Sequence, residues 1–198
     1  MTKIDYKPQL DYNNVLIRPK RSTLVSRSQV NLNRTFKFSP KDASAKSNIP
    51  DWTGIPIIAA NMDTTGTFEI YDVLSKHNII TAMNKFYNID DYKTANNRKK
   101  YTDDGETVFS NPLNPDLFMV STGISDNDYL KLVSILENIE CNWICIDIAN
   151  GYIKALVDFC QKVRQRFPTK RIVAGNVATR EMVEELILNG GVDVVKVG

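Results

Sequence analysis

Trp143-Ile144-Cys145-Ile146-Asp147-Ile148-Ala149 carries one charge in seven residues and reads as a β-strand covered on both faces. Side chains alternate along a strand, so Ile144, Ile146 and Ile148 share one face and Cys145 and Asp147 the other. The isoleucine face suits a packing helix. That turns Cys145 and Asp147 inward and leaves Asp147 at the strand's C-terminal end. Five further apolar runs have the same character: Ile55–Ala60, Ile79–Met83, Leu117–Ser121, Arg171–Val177 and Val192–Val197.

Helical patterns separate these runs. Tyr129, Leu132, Val133 and Leu136 recur at helical spacing behind Ser125, with Asp128 completing a capping pair. Leu156, Phe159, Cys160, Val163 and Phe167 form a second stripe, stopped by Pro168. Met182, Val183, Leu186 and Ile187 form a third, with Thr179 as N-cap and Gly190 at the C-terminal stop. Ile70, Val73 and Leu74 fit a helix; Ile89–Lys100 fits one weakly. Tyr101–Asp116 reads as a surface loop inserted between units, and Arg98-Lys99-Lys100 before it as a solvated helix end.

Strand followed by helix, with six strands in all, means βα units and a parallel sheet. A doubly wound sheet would carry a G-x-G-x-x-G turn after its first strand. The first strand here runs instead into Ala60-Asn61-Met62-Asp63-Thr64-Thr65-Gly66. A (β/α)8 TIM barrel needs no such motif, but it needs eight strands and about 250 residues. The 198 residues supply six. The expected fold is therefore α/β, an incomplete TIM barrel with about six of its eight strands, over residues 51–198.

Composition narrows the classes. Hydrophobic residues are 42% and charged residues 24%, ordinary globular values. No apolar run approaches the ~20 residues of a membrane span, and residues 1–20 lack a signal-peptide core. Three cysteines leave one unpaired in any disulfide scheme and follow no zinc spacing, which points to a reduced, cytoplasmic protein. The single histidine, His77, nearly excludes His-based metal sites and triads, and suits a solvated or capping place at a helix end. Ten Lys and Arg against three Asp give residues 1–50 a net +7, leaving −5 from the total of +2. This basic arm shows neither the aromatic interleaving of an RNA-binding module nor finger spacing, so nucleic acid is not expected. It either wraps the domain as a solvated arm or contacts the phosphates of a small ligand.

A barrel's chemistry lies at the C-terminal ends of its strands. The polar residues there are Asn61, Asp63, Asn84, Lys85, Ser121, Thr122, Asp147, Asn150, Asn176 and Lys196. Asp147 suits a ligand hydroxyl, a helix cap or a neighbouring lysine. Lys85 is either a surface lysine or a ligand contact, and Gly175-Asn176 either a strand-end turn or part of the site. Cys141, Cys145 and Cys160 precede a strand, sit within one and lie on an apolar helical stripe; none offers the exposure and positive surroundings of a reactive thiolate.

Several segments resemble, in order, the GMP reductase branch of the IMP dehydrogenase/GMP reductase family. They are Leu16-Ile17-Arg18-Pro19-Lys20-Arg21-Ser22, Ser26-Arg27, Pro56-Ile57-Ile58-Ala59-Ala60-Asn61-Met62-Asp63-Thr64 and Ile146-Asp147-Ile148-Ala149-Asn150-Gly151-Tyr152. Ala174-Gly175-Asn176-Val177, Glu181–Leu188 and Val195-Lys196-Val197-Gly198 complete the set. IMP dehydrogenases tend to carry Ser-Pro-Met-Asp in place of Ala60-Asn61-Met62-Asp63, with a regulatory domain inserted after the second barrel strand. Both differences favour the reductase.

The resemblance implies a (β/α)8 barrel, usually a homotetramer, that reductively deaminates GMP to IMP and ammonia with NADPH. It implies a cysteine on the loop after the sixth barrel strand that attacks the purine C2, a threonine and a glutamate that move protons, and a potassium ion that orders the loop. Carried over by position, Ser26 and Arg27 lie at the adenosine end of the cofactor. Lys85 reaches the cofactor or substrate near the reacting ring, and Asp147, Ile148 and Ala149 hold the nicotinamide-side ribose. Met62 and Asn176 are substrate-side candidates. The family's catalytic cysteine and threonine, and most cation ligands, fall beyond Gly198, so the chain alone is expected to be inactive. A non-catalytic barrel remnant that binds a dinucleotide or a partner chain is the alternative, and an IMP dehydrogenase-like enzyme the third reading. Three departures stand out. Asn84-Lys85-Phe86-Tyr87 replaces a commoner His-Lys-His-Tyr, and Tyr101–Asp116 is longer than usual. Gly190-Gly191-Val192-Asp193 holds one residue more, enough to shift the register of the last strand.

Overall fold

All six apolar runs become strands of one parallel sheet. The computed structural model describes residues 8, 10–38, 49–97, 99–101, 107–109 and 113–198. In chain order the strands are β1 (Arg34–Phe36), β2 (Trp52–Gly54), β3 (Ile58–Ala59), β4 (Ile80–Ala82), β5 (Lys99–Tyr101), β6 (Thr107–Phe109), β7 (Phe118–Thr122), β8 (Trp143–Asp147), β9 (Arg171–Val177) and β10 (Val194–Val197). The helices are α1 (Phe68–Leu74), α2 (Ile89–Asn96), α3 (Asp126–Asn138), α4 (Lys154–Arg166) and α5 (Arg180–Leu188). No helix among the described residues is long and apolar enough to cross a membrane.

The chain forms two compact units, Met1–Asn31 and Leu32–Gly198. In the first, two 3-10 turns are described, Tyr12–Asn14 and Arg27–Gln29. Ser26 caps the second of these, and the Gln29 side chain accepts from the Ser26 backbone N–H. In the second unit the parallel sheet runs β10-β9-β8-β7-β4-β3 and curls into a partial TIM barrel with β3 and β10 as its edges. β1 pairs with β2 in a separate antiparallel ribbon, so residues 34–36 of the basic stretch are built into the barrel unit.

The alternation seen in the sequence sorts the two faces. Ile144 and Ile146 are fully buried with Val120, Ile172 and the helices. Trp143, with Ile58, Ile80 and Val194, lines an apolar cavity of about 370 Å³ on the inner face. Between sheet and helices, Tyr71 meets Phe118 edge to face and Tyr92 meets it at a tilt of 36°. Asn88 and Ser125 form capping boxes for α2 and α3, and Pro168 follows the end of α4. Thr179 caps α5 by position, without a side-chain cap bond.

Three expectations need correction. The loop expected over Tyr101–Asp116 contains β6, which pairs antiparallel with β5 from Lys99↔Phe109 to Tyr101↔Thr107. Lys99 and Lys100 are therefore strand residues rather than a helix end; α2 stops at Asn96, and residues 98, 102–106 and 110–112 lie outside the described residues. The end of that segment is also no surface loop: Leu113 is buried and Asp116 pairs with Arg171. The third concerns Gly190–Asp193. Gly191 takes φ +68°, and the buried Asp193 carboxylate accepts from the Ile172 backbone N–H (2.8 Å) and from Arg164. With the turn so clamped, pairing is regular at Val194↔Val173 and Val195↔Ala174. The irregularity comes later and on β9, which places Gly175 and Asn176 opposite Lys196 alone.

The floor of the barrel is held by Arg171, 1% exposed. Its guanidinium donates to Pro50 O, Asp51 O and Asp116 Oδ1 at 2.8–3.1 Å and lies over the Trp143 ring.

Candidate functional site

At the other end of the strands, polar side chains replace the apolar lumen. Asp147 ends β8, Lys196 sits on β10, and Asn61 follows β3. Lys196 Nζ donates to Asp147 Oδ1, Asn61 Nδ2 donates to Asp147 Oδ2 at 2.8 Å, and Lys196 Nζ lies 3.4 Å from Asn61 Oδ1. The ring joins both edge strands through a residue of the middle of the sheet, so it also measures the sheet's curl. Asp147 and Lys196 lie two strands apart, with β9 between them. The residue of β9 opposite Asp147 is Gly175, and a Cβ there would stand 2.7 Å from Lys196 Cβ. The missing side chain is what lets the lysine cross.

Beside Asp147 opens a cavity of about 610 Å³, within the usual size of a small-molecule site. Asp147, Ile148, Ala149 and Asn176 form one wall; Lys85 and the segment Gly123–Ser125 with Asp128 complete it. Ile148 N and Asn176 N are held by reciprocal bonds, to Gly175 O (3.0 Å) and Ile148 O (2.9 Å). The Lys85 turn is pinned from both sides. Buried Asn84 donates from its side chain to Gly66 O (3.2 Å) and accepts from Phe86 N (3.1 Å), while Lys131 donates to Lys85 O. Gly66 must be glycine here, since a Cβ would meet Asn84 N at 2.8 Å. Partial burial alone would raise the Asp128 carboxyl. Hydrogen bonds from the Ser125 hydroxyl and backbone, with Lys131 and Lys85 nearby, outweigh it and hold the group below its ordinary range.

The thiols lie elsewhere. Cys141, Cys145 and Cys160 are free and buried, and burial pushes the first two up to about 11 and the third to about 12. Burial therefore disfavours the thiolate form of all three at neutral pH.

A profile described as the IMP dehydrogenase / GMP reductase domain matches residues 9–198. The chain belongs to this family. It is 45% identical over its whole length to a GMP reductase of Ascaris suum and 44% identical to human GMP reductase 1, and it covers 51% and 52% of those proteins. A GMP reductase of Photobacterium profundum is 49% identical over 99% of the chain, which covers 51% of that protein. The chain thus spans about half the length of the curated relatives it matches. The crystal structure of inosine 5′-monophosphate dehydrogenase from Legionella pneumophila superposes with a TM-score of 0.64 at 21% identity, over 89% of this chain and 47% of that one. That likeness speaks for the fold.

Among the residues that the family resemblance singles out, the structure brings Lys85, Asp147, Ile148, Ala149 and Asn176 to one cavity. Met62 is not among its lining residues. It stands 62% exposed on the loop after β3, where its carbonyl accepts from Thr65 and Gly66. Ser26 and Arg27 belong to the N-terminal unit and are exposed there. Of the roles open to Asp147, that of lysine partner is realised, by Lys196. The Gly123–Asp128 wall was visible in the sequence only as a helix cap. Asn61 and Lys196 were visible as strand-end polar residues, but nothing in a linear sequence says that they meet.

Proposed function

We propose that this chain serves GMP reduction: the NADPH-dependent conversion of GMP to IMP with release of ammonia. The balance is GMP + NADPH + 2H⁺ → IMP + NADP⁺ + NH₄⁺. The observation that carries the reading is the cavity at the strand ends, where Asp147, Ile148 and Ala149 face Lys85, in a chain 43–49% identical to proteins named GMP reductase.

The residues present fit a nicotinamide nucleoside. A carboxylate held at both oxygens suits vicinal ribose hydroxyls, which are donors, and Ile148 and Ala149, just past the end of β8, line the cavity beside it. When bound, NADPH supplies the hydride. Asp147 fixes the sugar, and Lys85 brings a positive charge to the mouth of the site, suited to a phosphate or to a purine oxygen gaining negative charge. Asn84 and Lys131 hold the Lys85 backbone in place. A covalent route through the purine C2 requires a thiolate, and the buried Cys141, Cys145 and Cys160 do not provide one.

The test is a fluorescence titration of the purified chain with NADPH, with and without GMP. Wild-type protein is expected to bind. Asp147→Ala should lose one charge-assisted interaction, about 1.5–3 kcal/mol, or roughly 10- to 100-fold in Kd, measured under conditions where the variant is folded by its unfolding midpoint. Binding unaffected by Asp147→Ala refutes the site.

A further inference from the structure

Asp147 is held by two residues that do not line the cavity beside it. Lys196 takes Oδ1 and Asn61 takes Oδ2, and the Asn61 amide has its oxygen toward the ammonium and its nitrogen toward the carboxylate. Every donor in the ring faces an acceptor, so the amide has one sensible orientation. Neither Asn61 nor Lys196 is among the residues around the 610 Å³ cavity, whereas Asp147 is. Each carboxylate oxygen spends one lone pair on the ring and keeps another for a ligand.

We propose that Lys196 and Asn61 are positioning residues, which hold the Asp147 carboxylate in the orientation that selects a neutral diol. This rests on the cofactor reading above. Two physical consequences separate the arrangement from a lone aspartate. First, a carboxylate free to rotate loses that freedom on binding, and one locked beforehand does not, so affinity rises without any new contact. Second, a lone carboxylate at a strand end attracts any cation, Lys85 and buffer ions included. Paired with Lys196 it is locally neutral and keeps only its accepting capacity, which matches hydroxyl groups better than ammonium or metal ions. Gly175 is part of the device, because a side chain on β9 would stand in the path of the lysine.

A double-mutant cycle on NADPH binding by the purified full chain tests this, with unfolding midpoints measured on every variant. Lys196→Met is expected to weaken binding about 10-fold, Lys196→Arg to recover most of that, and Asn61→Ala to fall between them. In an Asp147→Ala background Lys196→Met should add nothing, because a residue acting only through Asp147 has nothing left to orient. Equal losses in both backgrounds, or losses that follow the unfolding midpoint across the series and are not recovered by Lys196→Arg, overturn the proposal. The two readings fail differently. A wild-type chain that binds no NADPH overturns the cofactor reading and this inference with it, whereas binding that responds to Asp147 and ignores Lys196 overturns this inference alone.

Discussion

Replacing Arg171 by Met removes the most buried cation among the described residues of the barrel unit and should cost about 3 kcal/mol of stability. The side chain is 1% exposed, and four hydrogen bonds leave with it: two to Pro50 O, one to Asp51 O and one to Asp116 Oδ1, all at 2.8–3.1 Å. Removing one partner of a buried ion pair costs about 3–5 kcal/mol, because the group left behind is desolvated. Here Asp116 is 46% exposed and regains water, which places the loss at the lower end. Methionine keeps part of the aliphatic contact with Trp143, so cavity formation adds little. Arg171→Lys keeps the charge but cannot reach three acceptors at once, and should lose about 2 kcal/mol. Urea denaturation reads both. With a slope of about 2 kcal/mol/M, the Met variant's midpoint should drop by roughly 1.5 M and the Lys variant's by roughly 1 M, at unchanged slope. A Met variant within about 0.3 M of wild type would refute the view that this guanidinium holds the floor together.

Other outcomes follow from the same structure. The raised thiols stay neutral in the folded protein while the unfolded chain ionises near pH 9, so their stabilising effect is intact below about pH 9 and is lost as pH rises through 11–12. Tyr71 and Tyr92, also raised mainly by burial, act in the same sense above pH 10; urea midpoints that stay level between pH 8 and 10.5 would contradict this. Gly175→Ala should destabilise by about 1–3 kcal/mol through crowding against β10 and weaken NADPH binding together with it, whereas a wild-type midpoint would mean that β10 yields freely. The purified chain should show no GMP-dependent oxidation of NADPH above background by absorbance; activity abolished by substituting Cys141, Cys145 or Cys160 would show that a buried thiol becomes accessible.

What could be read from the sequence divides along physical lines. The strands of the sheet were legible because burial on both faces demands nearly continuous apolar residues, as in Ile144–Ile146 and Ile172–Ala174. Helix α3 announced itself through Ser125 and Asp128, a local signal that needs no tertiary context. β5 and β6 were not legible: Lys99-Lys100-Tyr101 and Thr107-Val108-Phe109 are too short for a periodic pattern, and their pairing across residues 102–106 has no counterpart in either segment alone. β1 and β2 failed similarly, since pairing of Thr35 with Thr53 depends on partners 18 residues apart. At the site, the inward aim of Asp147 followed from alternation, but its partners did not. Lys196 reaches it across a neighbouring strand and Asn61 from the far edge, and both distances are set by the curl of the sheet.

The three cysteines also amount to a set of internal clocks. Cys145 stands in the lumen between Trp143 and Asp147, Cys160 is buried on α4 beside Gly190, and Cys141 sits at the entrance to β8, donating to Phe118 O (3.4 Å) and Trp143 O (3.1 Å). An alkylating reagent reaches a buried thiol only when the surrounding structure opens, so each modification rate counts openings of one layer. Separation of the edge strands β3 and β10 would expose Cys145 before Cys160, whereas lifting of α4 would reverse that order. Mass spectrometry of partly labelled protein would thus show which layer of the barrel breathes, with no probe introduced by mutation.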